Sequence, residues 1–401
     1  MTLIRSFLSL VKTIGFTRAT RVAWTWLVER FRVSTAGGFN PGFEVYDLEP
    51  NTRTLAKTTL TSETPVIWFI PAWTNVWGGG HLTLFRFAHL MSKKRPQLIF
   101  VYDNKNRFDK KYFESSLQKA FPGNSLTVVI DSDHIPEICI PVATTWQSVF
   151  PLLKFTPKSD FRFYFMQDYE GLFYAHGTQS MQALASYEQG LKGITGGPWL
   201  LKNFKDHGGD GINYMFTTDR EIFFPAETLR PSVKRIFFYG RPSTERRCFE
   251  LGIEALKQVK IRHPEIEIVM AGLDGIGDVG FEVTKSGSVS VPELGNLYRS
   301  CDIGLALSGT NLSYLPVELM ACGVPVVTNS GPQVEWYCED NVNSLVVDPF
   351  PSSIANAIED LIGNFSLREY LITNGLQKAK ETDWASEATK ISDYIEAQLS
   401  S

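Results

Sequence analysis

Short apolar runs recur along the chain, each closed by a glycine, a proline or a polar turn and followed by residues at helical spacing. Val66-Ile-Trp-Phe-Ile-Pro71 is such a run, suited to a buried strand. Gly78-Gly79-Gly80 follows, and an apolar-rich helical stretch then extends from His81 to about Met91. The runs 97–102, 126–130 and 161–166 predict three further strands, with a helical stretch over 110–120. Strands alternating with helices predict a parallel sheet covered on both faces. Upstream, from Gly37 to Thr64, clusters of Gly, Pro, Asn and Thr replace periodicity and predict irregular chain.

The pattern restarts near residue 234. Arg235-Ile-Phe-Phe-Tyr239 reads as a strand ended by Gly240, and Phe249, Ile253 and Leu256 place one apolar stripe on the helix after it. Ile266–Ala271 is the next strand, Leu294, Leu297 and Cys301 mark another helix, and 303–307 is a further strand. Pro316 suits the first turn of a helix that Gly323 closes, and 324–328 is the strand after it. Two doubly wound α/β halves are expected, joined near Pro225 to Val233, with the helices from Ser352 onward completing the second. The expected division is a helical and irregular extension over 1–64, a first Rossmann-like domain over 65–228 and a second over 229–401. No repeat of about 20–50 residues interrupts this plan.

Composition narrows the function classes. At 401 residues, two domains of about 150–200 residues each are expected. The 28 Phe, 14 Tyr and 9 Trp can build a large core, which excludes a disordered chain. A balance of 39 Lys and Arg against 43 Asp and Glu argues against nucleic acid as a partner. The five cysteines are widely spaced and form no CxxC pair, so a reducing compartment fits better than a disulfide framework or a zinc ribbon. The first 32 residues carry Arg5, Lys12, Arg18, Arg21, Arg30 and Arg32 against Glu29 alone, with Leu3, Phe7, Leu10 and Ile14 at helical spacing. Lys12 breaks the only stretch resembling a secretory signal, and no window reaches the ~18–20 apolar residues of a spanning helix. Two readings stay open: helices packed on the body, or a basic amphipathic surface against an anionic membrane. Both predict a cytoplasmic protein, the second with contact to the inner membrane face.

Candidate chemistry concentrates at strand ends. Gly275-Ile276-Gly277-Asp278-Val279-Gly280 matches G-x-G-x-x-G, but 281–290 reads as loop and strand where a dinucleotide fingerprint needs a helix, so a loop is expected. Asp131-Ser132-Asp133 follows a strand and invites a divalent ion, yet no second acidic or histidine cluster accompanies it. His81, His89, His134, His176, His207 and His263 show no metal-ligand spacing, and no metal is expected. Arg241, Arg246 and Arg247 leave a loop between a strand end and a helix start, the edge where parallel sheets bind ligands. Free N–H groups and fixed guanidinium charge suit a phosphate there. Gly78–Gly80 offers the same close backbone approach in the first half, and Gln167-Asp168-Tyr169-Glu170 follows a strand directly. Glu318, two residues after Pro316 in what reads as a first helical turn, caps its own helix or accepts bonds from vicinal ribose hydroxyls.

Two segments, Phe238-Tyr239-Gly240-Arg241-Pro242 and 314–329, resemble the donor half of retaining GT-B glycosyltransferases of family 4. With Gly79-Gly80-His81, Ala143-Thr144-Thr145-Trp146, Gln167–Glu170 and Arg241-Pro242-Ser243, the chain resembles the bacterial subgroup of WsaF-like rhamnosyltransferases from about Val66 onward. The resemblance implies two Rossmann-like domains facing across a cleft and a metal-independent transfer from a nucleoside-diphosphate sugar, with rhamnose from dTDP-rhamnose as one donor. It implies a glycan or lipid-linked acceptor, no cofactor and retention at the anomeric carbon. Arg241 and Arg246 fall where the family places its diphosphate-binding Arg and Lys, and Glu318 on the later glutamate of its E-x7-E motif. The earlier glutamate is Thr310, a departure from the family pattern. Gly79, Gly80, Gln167, Tyr169, Ser243 and Tyr314 complete the implied donor site, Asp168 lines the cleft beside the catalytic arginines, and His81 or Asp168 is the candidate base. Two other classes compete: a glycan-binding protein that has lost turnover, and an NAD- or S-adenosylmethionine-dependent Rossmann enzyme whose only fingerprint is the poor match at Gly275.

Overall fold

The computed structural model describes residues 60–399 apart from 106, 157–160, 273–276 and 288, together with 11, 15, 16, 19, 20, 23 and 45–48. Most of the expected 1–64 extension, and the first part of the Gly275–Gly280 match, therefore lie outside the described residues. Gly277–Gly280 has no helix.

The first sheet is built from β1 (Val66–Pro71), β2 (Gln97–Asp103), β3 (Thr127–Val129), β4 (Ile140–Ala143), β5 (Phe163–Met166), β6 (Lys192–Gly196) and β7 (Asp210–Tyr214). Its strands run parallel in the order β3-β2-β1-β4-β5-β6-β7. Five helices cover it: α1 (Gly79–Met91), α2 (Lys110–Ala120), α3 (Trp146–Phe155), α4 (Thr178–Ala185) and α5 (Pro198–Asp206). β1 buries Val66 to Ile70 completely, as a strand covered on both faces must. Helix starts follow from local chemistry. The Asp109 carboxylate accepts from Tyr112 N at 2.8 Å, and Thr145 and Ser148 form a reciprocal cap on α3.

The second sheet holds β8 (Arg235–Tyr239), β9 (Glu267–Ala271), β10 (Thr284–Lys285), β11 (Ile303–Leu305), β12 (Val326–Asn329) and β13 (Ser344–Val347). Its strands are parallel in the order β10-β9-β8-β11-β12-β13. Around it lie α6 (Phe249–Arg262), α7 (Val291–Arg299), α8 (Tyr314–Ala321), α9 (Pro332–Glu335), α10 (Pro351–Gly363) and α11 (Phe365–Ala379). The doubly wound α/β pattern expected of both halves is present. Strand order reverses between β1 and β4 in one sheet and between β8 and β11 in the other, and such switch points open crevices at the C-terminal edge of a parallel sheet.

One apolar cluster covers an outer face of the first sheet with Leu152, Leu200 and Phe204, and another covers a face of the second with Leu256, Val259 and Ile358. The largest cluster is continuous from Trp68 and Phe85 through Tyr214 and Phe216 to Phe237 and Val326, so the halves share one core. Ala19 is buried in it. The last helix departs from the expected plan: α12 (Trp384–Leu399) crosses back to α1 and β7 instead of completing the second half. Arg95 grips Glu396 with two bonds of 2.9 Å, Lys94 meets Asp393 at 2.7 Å, and Trp384 packs edge-on to Phe87. No helix among the described residues is long and apolar enough to cross a membrane.

Candidate functional site

In the second half, the chain leaves β8 at Tyr239 and passes through a one-turn 3-10 helix, Glu245–Arg247, before α6 begins. The junction residue Cys248 has φ of 51°, a left-handed conformation that costs a non-glycine residue about 1–2 kcal/mol. No side chain caps α6, so its first N–H groups have no side-chain acceptor. Arg241 and Ser243 are exposed in this loop, and neither makes a side-chain hydrogen bond or ion pair with the described residues. Arg246 lies with its guanidinium carbon 3.9 Å above the Phe173 ring and its Nε 3.4 Å from Asp168. Arg247 turns inward, donating to Ser308 Oγ at 2.6 Å and to the Asn311 carbonyl at 3.1 Å.

Opposite, α1 starts at Gly79 with no side-chain cap on Gly78. Gly80 is exposed, and the Gln167 amide donates to its carbonyl at 3.0 Å, joining two of the expected donor-binding positions. A Cβ at Gly80 would meet the Gln167 amide at 3.5 Å, an ordinary contact, so this approach does not itself require glycine. His81 stacks on Phe85, and burial pushes its pKa down to about 4, leaving the imidazole neutral at pH 7 and a weak base.

Asp168 is 8% exposed and sits at the junction of the halves. Its carboxylate accepts from Thr310 Oγ1 at 3.0 Å and Asn311 N at 2.8 Å, and lies 3.5 Å from Arg247 Nη2. A carboxylate so occupied is a poor general base, which removes the proton-acceptor reading given to it from sequence. Tyr169, expected in the donor site, has its hydroxyl on His207 Nε2 at 2.9 Å and its ring against Tyr187 and Trp199. Glu170 is held by the Trp146 N–H and by Tyr164 Oη, the latter at 2.9 Å, and burial raises its pKa to about 7.

Glu318 lies in the second turn of α8, because that helix begins at Tyr314, and the first turn carries no acid. The self-capping reading falls with that placement. Burial raises its pKa to about 7, against the Tyr298 hydroxyl bond of 3.2 Å and the Arg86 guanidinium of α1, which both lower it. Tyr314 is stacked between Phe216 at 4.4 Å and Trp384 at 5.8 Å, and so packs in the shared core.

Asp131 caps its own turn, accepting from Asp133 N at 3.1 Å, and both acids are remote from this cluster in sequence and in hydrogen bonding. Among the described residues, no group of three or more His, Cys, Asp or Glu is placed to hold a metal. Sequence reasoning missed Asn311 and Trp336. Asn311 Nδ2 donates to the carbonyls of Gln167 at 3.0 Å and Gly196 at 2.7 Å, while its Oδ1 accepts from Trp336 Nε1 at 3.1 Å. The polar run Ser308-Gly309-Thr310-Asn311 after an apolar strand was the available signal.

Residues 234–359 match the family described as WsaF, C-terminal domain. The chain is 36% identical over 339 residues to the O-antigen biosynthesis protein RfbC of Myxococcus xanthus, an alignment covering 81% of this chain and 26% of RfbC. It thus spans about a quarter of that relative. Sucrose-phosphate synthase from Thermosynechococcus elongatus superposes with a TM-score of 0.67 at 15% identity, over 84% of this chain and all of the other. HepE from Anabaena, in a complex with UDP-glucose, superposes with a TM-score of 0.66 at 14% identity over 84% of this chain and all of HepE. These structural likenesses establish the GT-B fold.

Proposed function

We propose that this WsaF-like chain of the GT-B fold is a glycosyltransferase, moving a sugar from a nucleoside-diphosphate donor to a glycan or lipid-linked acceptor in surface-polysaccharide assembly. One observation carries the reading: Arg241 and Arg246 stand at the C-terminal edge of the second sheet, beside the uncapped start of α6, with guanidinium groups that no hydrogen bond within the described residues engages. Breaking the anomeric C–O bond leaves a diphosphate of growing negative charge. Fixed arginines and helix N-termini stabilise that charge more in the transition state than in the ground state, which is the requirement for catalysis.

In this reading Arg241 and Arg246 hold the departing diphosphate, and Glu318 accepts bonds from the ribose hydroxyls. Gly80 and the free start of α1 close the opposite wall, and Ser243 lies beside the phosphates. The reaction proceeds without a metal and with retention at the anomeric carbon, and dTDP-rhamnose is the first donor to try. The basic N-terminal segment brings the enzyme to a lipid-linked acceptor on an anionic membrane. A second reading, a glycan binder without turnover, is favoured by Thr310, whose hydroxyl is committed to Asp168.

Thermal unfolding with dTDP, UDP, GDP, CDP, NAD and S-adenosylmethionine, each with and without EDTA, tests the proposal. A ligand at about 100 times its Kd adds about 2.7 kcal/mol, a readily measured stabilisation. Stabilisation by one nucleoside diphosphate, unchanged by EDTA, is expected. A shift only with NAD or S-adenosylmethionine would refute the proposal, and a shift that needs metal would refute its metal-free form.

A further inference from the structure

We propose that Asp168 and Asn311 form a bolt across the two halves whose task is to position Arg246 over the donor diphosphate. The inference rests on the glycosyltransferase reading above. Asp168 leaves the end of β5, yet four of the groups facing its carboxylate belong to the other half: Thr310 Oγ1 at 3.0 Å, Asn311 N at 2.8 Å, Arg246 Nε at 3.4 Å and Arg247 Nη2 at 3.5 Å. Asn311 returns the contact, reaching across to the carbonyls of Gln167 and Gly196 at 3.0 and 2.7 Å. It is fully buried, and Trp336 fixes its amide from behind at 3.1 Å.

The two adjacent arginines divide the work. Arg247 is consumed by the bolt, with Ser308 Oγ, the Asn311 carbonyl and Asp168 around it. Arg246 is held from one side only: Asp168 faces its Nε, Phe173 supports its plane at 3.9 Å, and Nη1 and Nη2 make no hydrogen bond or ion pair with the described residues. A guanidinium held by the Asp168 charge beside its Nε and by the Phe173 ring, with no hydrogen bond of its own among the described residues, is pre-organised for bidentate contact with phosphate oxygens. Asp168 is therefore a positioning residue, acting through Arg246 and through closure of the cleft.

The test compares Asp168→Asn, Thr310→Val and Thr310→Ser with wild type in the full chain. Three measurements are made: amide hydrogen exchange over 167–170 and 308–312 without ligand, calorimetric affinity for UDP and dTDP, and initial rates of nucleoside-diphosphate release. Asp168→Asn is expected to speed exchange in both segments by about tenfold or more. Its kcat falls by about 30-fold or more, while KM and nucleotide Kd stay within about threefold. Thr310→Val shows a smaller fall of the same kind, and Thr310→Ser, which keeps the hydroxyl, restores wild-type rates. Should Asp168→Asn fail to fold, the Thr310 pair decides. Unchanged exchange, a loss confined to KM, or a Thr310→Ser variant as slow as Thr310→Val would overturn the inference. A wild-type protein that releases no nucleoside diphosphate refutes the activity instead, and the exchange measurement then judges the bolt alone.

Discussion

Arg241→Ala separates catalysis from folding more cleanly than any other change in the site. Arg241 is exposed and makes no side-chain hydrogen bond or ion pair with the described residues, so its loss should alter stability by no more than about 0.5 kcal/mol. Against a diphosphate its fork offers two charge-assisted bonds, each about 1.5–3 kcal/mol. If both form only as the leaving group gathers charge, the barrier rises by about 3–6 kcal/mol, roughly 10²- to 10⁴-fold in rate. The assay is initial-rate release of nucleoside diphosphate, run beside urea unfolding of the same preparation. Arg241→Lys keeps the charge but not the planar fork, and falls between the two. Turnover within threefold of wild type in a folded Arg241→Ala protein would refute the assignment of the diphosphate to this edge.

Other consequences follow from the buried acids and one close contact. If Glu318, its pKa raised to about 7, holds the ribose hydroxyls as proposed, its ionised form is the acceptor, so nucleotide affinity should weaken as pH falls below 7, approaching tenfold per pH unit. Calorimetry on Glu318→Gln should show a flat profile, and a slope surviving in that variant would exclude Glu318 as its origin. Glu170 retains its proton to about pH 7 when folded but loses it near 4.5 when unfolded, so stability falls as pH rises from about 4.5 to 7. The loss is at most about 3 kcal/mol. Glu170→Gln, whose amide oxygen still accepts from Trp146 and Tyr164, should remove that part of the pH dependence of urea unfolding, and an unaltered profile would contradict it. Gly197 has φ of +85°, and a Cβ there would lie 2.6 Å from the Trp336 ring across the domain junction. Gly197→Ala should therefore cost about 1–3 kcal/mol in urea unfolding, and wild-type stability would contradict the close approach.

Periodicity could reveal an element only where burial is expressed as apolar side chains. Val66–Pro71 and Arg235–Tyr239 are unbroken apolar or amphipathic runs, and they are strands. β6 and β7, Lys-Gly-Ile-Thr-Gly and Asp-Gly-Ile-Asn-Tyr, escaped because backbone fills the space that side chains fill elsewhere. A Cβ on Gly211 would stand 2.1 Å from the Gly193 carbonyl oxygen, and one on Gly193 would enter the Phe204 ring at 2.6 Å. β4 was hidden by Pro141, which ordinarily argues against a central strand. Here Pro141 stands opposite Ile67, and pairing with β5 starts only at Val142.

The site was legible to the same degree and for a related reason. Arg241 and Arg246 announce themselves because cations at a strand end before a helix have few structural uses. Glu318 and Gln167 were likewise visible as polar residues set beside apolar elements. What a single sequence does not carry is the partner of a polar residue. Asp168 meets Thr310 across 142 residues of chain, and no local spacing distinguishes a carboxylate open to a cleft from one closed by another domain. The return of α12 to the first half is hidden in the same way, because its apolar stripe fits either sheet. The ion pairs of Arg95 with Glu396 and of Lys94 with Asp393 mark where it lies. The exposed Lys94–Asp393 pair contributes about 0–1 kcal/mol, and the larger driving force is the burial of Ile391 and Ile395 in the shared core. The halves are thus tied by apolar burial on one side of the junction and by a polar bolt at the cleft. Separating the apolar contact exposes hydrocarbon to water, whereas the bolt's groups can exchange one another for water or for a phosphate. Of the two ties, the one at the cleft adjoins the arginines assigned to the donor.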